Sequence, residues 1–178
     1  AYTLQIYYDF SGYSDMAIGL GSMFGLSIPI NFNAPYLAVS IRDFWRRWHI
    51  TLSRFLRDYL YIPMGGSWFG MPRQITAVMI TMLLGGLWHG AGWTFVIWGG
   101  LHGLALVVNH IWEKTGVSLP KPFGWVLTLI FVMFGWVIFR ADSMGTAVAI
   151  IRTMVGMNGV SFDLPDIMPP MRIFYFAL

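Results

Sequence analysis

The sequence predicts an all-α integral membrane protein, a core of several spanning helices joined by shorter interfacial or re-entrant ones. Three observations predict it. Of 178 residues, 57% are hydrophobic and only 11% are charged, which leaves too little polar surface to cover a water-soluble domain. The run from Gln74 to Trp112 holds no Asp, Glu, Lys or Arg, enough for two crossings at about 20 residues each. Arg42, Arg46, Arg47, Arg54, Arg57 and Arg73 crowd beside these apolar runs, and such a bias towards basic residues marks a cytoplasmic face.

Taken in order, Met16 to Ile28 is apolar and Gly-rich, but it crosses ~30 Å of hydrocarbon only by continuing backward through Ser11, Gly12, Tyr13 and Ser14. Asp9 and Asp15 flank it, and carboxylates so placed are either functional or caps and anchors for helix ends. Pro29, Asn31, Asn33 and Pro35 then interrupt any helix, because Pro removes a donor and Asn favours turns. From Ser40 to Leu60 the residues Ile41, Phe44, Trp45, Trp48, Leu52, Phe55, Leu56 and Tyr59 recur at spacings of three and four, which predicts one amphipathic helix over 40–60. Its other face carries Arg46, Arg54 and Arg57, so it is expected to lie along the membrane interface or enter a protein cavity. Pro63, Gly65 and Gly66 close it.

Membrane helices are expected over 74–89, 93–112 and 122–139, with a shorter, partly amphipathic helix over Met144 to Met157, all parts of a single polytopic domain. Counting from Arg73 in the headgroup region, sixteen residues reach His89, ~24 Å at the helical rise of 1.5 Å. His89 is therefore expected deep in the membrane or towards its far face. Gly85, Gly86, Gly90 and Gly92 surround it, letting backbones approach closely or leave the helix where protein satisfies them. His102 and His110 lie on the next span. Apolar runs at both ends, Ala1 to Tyr8 and Met171 to Leu178, and a start without Met predict that these residues belong to a longer protein. With no Cys, neither disulfides nor thiolate sites arise. His49 and His89 are expected to lie far apart with no acidic ligand between them, so no metal is expected. No basic surface exists outside the membrane segments, which argues against nucleic-acid binding.

Four ordered blocks carry a resemblance: Asp9-Phe10-Ser11-Gly12-Tyr13-Ser14-Asp15, Asn31-Phe32-Asn33-Ala34-Pro35-Tyr36, Phe44-Trp45-Arg46-Arg47-Trp48-His49-Ile50-Thr51-Leu52-Ser53 and Gly86-Leu87-Trp88-His89-Gly90-Ala91. In this order they resemble the bacterial membrane-bound O-acyltransferases that acetylate alginate and peptidoglycan, with Trp136, Phe139, Arg140 and Ala141 as a weaker continuation. The resemblance implies transfer of an acyl group, usually acetyl, from a cytosolic thioester towards an extracytoplasmic polysaccharide or a periplasmic acetyltransferase, in a multi-pass protein of the bacterial inner membrane. It implies that His89 is the catalytic histidine, in a tunnel, and that His49 is the second signature position. An acceptor hydroxyl is a poor nucleophile, and a neutral imidazole can take its proton as it attacks the thioester. Trp88, Trp45 and Arg46 are candidate substrate-binding residues, and indole or backbone N–H groups near Trp88 and Gly90 are candidate donors to the oxyanion. The donor, acetyl-CoA or an acyl carrier protein, would visit as a substrate, with no tightly bound cofactor.

The same residues admit plainer readings. His102 and His110 are expected to be structural, and His49 beside Trp45 and Trp48 has the alternative role of orienting its helix. The arginine stripe is an anchor for anionic lipid or a dock for the phosphates of the donor. As a whole, the chain is alternatively a transporter or channel relaying protons through its histidines, or an assembly subunit without catalysis of its own.

Overall fold

Residues 2–159 are described in the structure, a computed structural model; the apolar run from Met171 to Leu178 lies outside them. The described residues form seven α-helices joined by loops and short turns, with no strand among them. The first, α1 (Tyr2–Met23), runs through Ser11, Gly12 and Ser14 as one piece. Ser14 and Ser22 turn their hydroxyls back onto the carbonyls of Phe10 and Ile18, 2.9 Å each. The helix stops where Gly25 takes a left-handed φ of 71° and Leu26 N–H returns to the carbonyl of Gly21, the cap that glycine adopts without steric cost. Asp9 and Asp15 sit inside α1 on exposed faces, so neither caps a helix end.

The single amphipathic helix expected over 40–60 is in fact broken. Ser40 caps α2 (Ile41–Arg47), its Oγ accepting from the N–H of Asp43 at 3.1 Å. Trp48 is then extended and His49 left-handed, φ 43°, before α3 (Ile50–Leu56) begins. The physical cause is the preceding loop, which lies alongside: Asn33 N–H donates to the carbonyl of Arg47, and Ile50 N–H donates to that of Asn31, both at 2.9 Å. Those bonds replace helical ones and bury Trp48. A π-turn over Arg57–Tyr61 extends α3.

The long helices α4 (Met71–His89), α5 (Trp93–Lys114) and α6 (Lys121–Arg140) follow, then α7 (Met144–Met154), capped by Ser143. Among the described residues α5 and α6 are long and apolar enough to cross a membrane, and they leave Leu104, Val108, Leu127 and Ile130 exposed. Such a surface suits hydrocarbon, not water. In lipid, helices gain little from hiding apolar area and associate through close packing of small residues. That is how α4 meets α5 in an antiparallel hairpin: a β-carbon on Gly86 would lie 2.3 Å from the carbonyl oxygen of Phe95, and one on Gly99 would lie 2.3 Å from that of Met82.

The core forms where α2, the Trp48 turn, α5 and α6 converge. Trp48 stacks on Phe44 with centroids 5.7 Å apart and meets Trp136 at 4.8 Å. Trp98 lies beside Trp136 and Val132 in the same cluster. Tyr36 ties the loop to α1 through a hydrogen bond to the carbonyl of Thr3, and the indole of Trp125 donates to the carbonyl of Tyr36 at 2.8 Å. Broken helix, loop and spans are thereby held in one body.

Candidate active site

His89 is the last residue of α4, where the helix stops at an extended Gly90. Its ring is walled by aromatic groups edge-to-face: Trp88 at 5.0 Å, Phe139 at 5.2 Å and Trp98 at 5.4 Å. Gly90 leaves room for this wall, because a β-carbon there would press on the Phe95 ring at 2.6 Å, and Phe95 in turn packs on Phe139. Trp88 is two-thirds exposed. The N–H of Gly90 is already spent on the carbonyl of Leu87 at 3.1 Å, which removes it as a free oxyanion donor. Trp98 is the buried indole at His89, and its Nε1–H has no partner.

His49 owes its orientation to Asn31. The amide oxygen of Asn31 accepts from Thr51 N–H at 3.2 Å and from Thr51 Oγ1 at 3.0 Å, and it lies 3.2 Å from His49 Nδ1. Since that oxygen only accepts, His49 must donate from Nδ1, which leaves the Nε2 lone pair of the neutral ring free. The ring also packs edge-on against Phe10 of α1. Burial first, and then the neighbouring His89, push the His49 imidazole down from its ordinary value to about 4. Among the described residues no three His, Asp or Glu side chains converge as a metal site would require.

The remaining candidates gather at a cavity of about 540 Å³ between α2, α3, α4 and α5, lined in part by Arg42, Trp45, Arg46, Arg57, Thr81 and His110. Arg42 is held by an ion pair with Glu113 and by its contact with His110 Nδ1 at 3.1 Å. Trp45 fills the wall between the cavity and the core, its Nε1–H donating to His102 Nδ1 at 3.2 Å. An indole N–H can only donate, so the neutral His102 ring carries its proton on Nε2. His102 is fully buried among Trp98, Phe131 and Phe44. The line Trp45, His102, Trp98, His89 thus runs in continuous ring contact from cavity to catalytic candidate. His89 is not itself in the cavity lining; it sits eight residues along α4 from Thr81, about 12 Å at the helical rise.

Sequence reasoning missed Trp98, Phe139 as a wall of His89, and Thr81. Trp98 stands about two turns beyond the block around His89, Phe139 was named only within the weaker continuation, and Thr81 looks in sequence like any other residue of an apolar span.

Residues 1–146 match the family model described as MBOAT, membrane-bound O-acyltransferase family. The chain is 52% identical over 165 residues to a peptidoglycan O-acetyltransferase of Helicobacter pylori, covering 90% of this chain and 31% of that protein. It is 53% identical over 148 residues to a probable alginate O-acetylase AlgI of Azotobacter vinelandii, covering 83% of this chain and 30% of that one. A more distant relative is a teichoic acid D-alanyltransferase of Streptococcus thermophilus, 32% identical over 127 residues, covering 67% of this chain and 31% of that one. The chain spans about a third of the length of these curated relatives. With blocks, helices and histidines in place together, it belongs to the membrane-bound O-acyltransferase family.

Proposed function

We propose that the protein containing this chain is an O-acetyltransferase of the bacterial inner membrane. It moves an acetyl group from a cytosolic thioester towards an extracytoplasmic polysaccharide, peptidoglycan or a periplasmic acetyltransferase. The observation that carries this reading is the arginine-lined cavity set against the same helix that ends in His89. The phosphates of acetyl-CoA, or of a phosphopantetheine arm on an acyl carrier protein, suit Arg42, Arg46 and Arg57 at its wall. Trp45 lines the arm's path, and Trp88 stands on the exposed side of His89, where an acceptor would arrive. The broken pair α2 and α3 would lie along the cytoplasmic interface, with arginines towards headgroups and cavity.

In the reaction, the acceptor hydroxyl oxygen attacks the thioester carbonyl carbon while His89 takes the hydroxyl proton. The new C–O bond forms, the C–S bond breaks, and the sulfur leaves as a thiolate that takes up a proton. The negative charge on the carbonyl oxygen needs a hydrogen-bond donor at the reacting carbonyl. His49, with its Nε2 lone pair free, helps orient the reacting hydroxyl.

Purified full-length protein, given thioester labelled in its acetyl group, tests the reading. Appearance of labelled ester on the acceptor supports it. Passage of label across a vesicle wall without ester formation would point to a transporter, and neither outcome would point to an assembly subunit.

A further inference from the structure

A second cavity, of about 530 Å³, opens between α5 and α6, walled by Leu101, Leu104, Val108, Leu127 and Phe131 with no charged side chain in its lining. Residues 39–41, which lead into α2, line it too. A β-carbon on Gly124 would lie 2.5 Å from the carbonyl oxygen of Val39, so this stretch packs directly on the α6 backbone. The hydroxyls in the lining are already bonded within the protein: Ser40 Oγ accepts from Asp43 N–H at 3.1 Å, and Thr128 donates to the carbonyl of Gly124 at 2.7 Å. The carboxamide oxygen of Asn109 is sealed from solvent. Such a wall favours an apolar occupant. Leu104, Val108 and Leu127 are each more than half exposed, and the cavity is therefore a groove, open along their side.

Its length and its charges indicate the occupant. The α5 wall runs from Leu101 to Trp112, about 16 Å at the helical rise, or half of the ~30 Å hydrocarbon core. That is the depth of one leaflet. Charge is confined to one end, where Lys114 closes α5 just past Trp112 and Lys121 opens α6 just past Leu119. Both lysines are exposed, and neither is in an ion pair among the described residues. Trp112 and Trp125 stand partly exposed at the same end, as indoles do at a membrane–water interface. The ion pair of Glu113 with Arg42 sets this end level with the arginine stripe. We propose that the groove holds one acyl chain of an anionic phospholipid, with the lipid phosphate between Lys114 and Lys121. Basic pockets between membrane helices take anionic headgroups in this way, and lysine stems lie along apolar surface while their ammonium groups stay at headgroup level. In the orientation proposed above the lipid belongs to the cytoplasmic leaflet, but its binding depends neither on that orientation nor on acyl transfer.

Full-length protein, purified in detergent and stripped of lipid, is titrated with phosphatidylglycerol and separately with phosphatidylethanolamine, and bound lipid is counted by native mass spectrometry. No acyl donor or acceptor is present, so the outcome is read apart from the acetylation assay. The expected result is one phosphatidylglycerol held about tenfold more tightly than phosphatidylethanolamine. In Lys114→Gln/Lys121→Gln that preference should disappear, and in Leu104→Trp, which fills part of the groove, affinity for the first lipid should fall at least about tenfold. Equal binding of the two lipids, or a preference that survives the lysine exchange, overturns the proposal. Unaltered binding in Leu104→Trp overturns it as well, because the lipid then sits elsewhere. So does the absence of a bound lipid, the result expected if a helix from the rest of the protein occupies the groove. Should Leu104→Trp not accumulate, Val108→Cys serves in a background free of other accessible thiols. Phosphatidylglycerol must then slow alkylation of that cysteine more than phosphatidylethanolamine does, and equal rates overturn the proposal.

Discussion

Replacing Gly99 by Ala should uncouple the α4–α5 hairpin and with it the placement of His89. The added β-carbon would lie 2.3 Å from the carbonyl oxygen of Met82 and 3.1 Å from the Cα of Gly86, whereas ordinary contact begins near 3.4 Å. Both obstacles are backbone, so no side chain can swing aside, and the helices must part by about 1 Å. Overpacking of that kind costs about 1–3 kcal/mol. Gly86, the facing residue, is less than one turn from His89, and a displacement of 1 Å at a reacting group costs roughly 10²-fold in rate. Gly100→Ala is the matched control, because its β-carbon would meet only the Leu83 side chain, at 3.4 Å. The assay is polymer acetylation by the full-length protein per unit of protein in the membrane, with thermal stability in detergent measured alongside. If Gly99→Ala matches Gly100→Ala in both, the close backbone contact does not position His89 and the reasoning fails.

Other outcomes are expected. Arg54→Cys, in full-length protein freed of other accessible thiols, should react with an impermeant thiol reagent from the cytoplasmic side alone; periplasmic labelling would invert the topology. Asn31→Ala should cost about 1–2 kcal/mol in thermal stability, as loss of an N-terminal cap does, and lower acetylation per molecule to the level of His49→Ala, because both the start of α3 and the His49 ring lose their partner. Burial holds folded His49 at about 4, below its free value of 6.5, so protonation favours the unfolded chain. The associated stability is complete above about pH 6.5 and is lost as pH falls towards 4; thermal melts of wild type should drop more steeply across that window than those of His49→Gln. His102→Ala should lower the amount of folded protein, since the Trp45 indole would be left unpaired, and equal abundance at wild-type stability would contradict that structural role.

The long helices were legible because charge-free runs leave a chain in lipid few options, and α4, α5 and α6 fall on those runs. The break at His49 was not legible, for the apolar spacing runs unbroken across Trp48 and His49. What overrides it is a partner distant in sequence, the 31–33 segment, whose backbone pairs with Arg47 and Ile50. Asp9 and Asp15, flanking an apolar run, were readable as functional groups or as caps of helix ends, whereas α1 runs through both and Ser14 bonds back onto it. The cationic stripe was visible, but that Arg42, Arg46 and Arg57 line a cavity required α2, α3, α4 and α5 to be placed together. His102 was expected to be structural, but the Trp45 indole that fixes its tautomer could not be read from the sequence.

The most direct test of acyl transfer at His89 is the acetylation of extracytoplasmic polymer in cells carrying the full-length His89→Ala protein, normalised to its abundance in the membrane. A base that takes the hydroxyl proton contributes ~10²- to 10⁴-fold, and the ring's contacts with Trp88, Trp98 and Phe139 are aromatic packing without hydrogen bonds among the described residues. The variant should therefore insert and accumulate nearly as the wild type does while acetylation falls by at least ~10²-fold. Near-normal acetylation by His89→Ala, with His102→Ala inactive at equal abundance, would contradict this and move the base to α5.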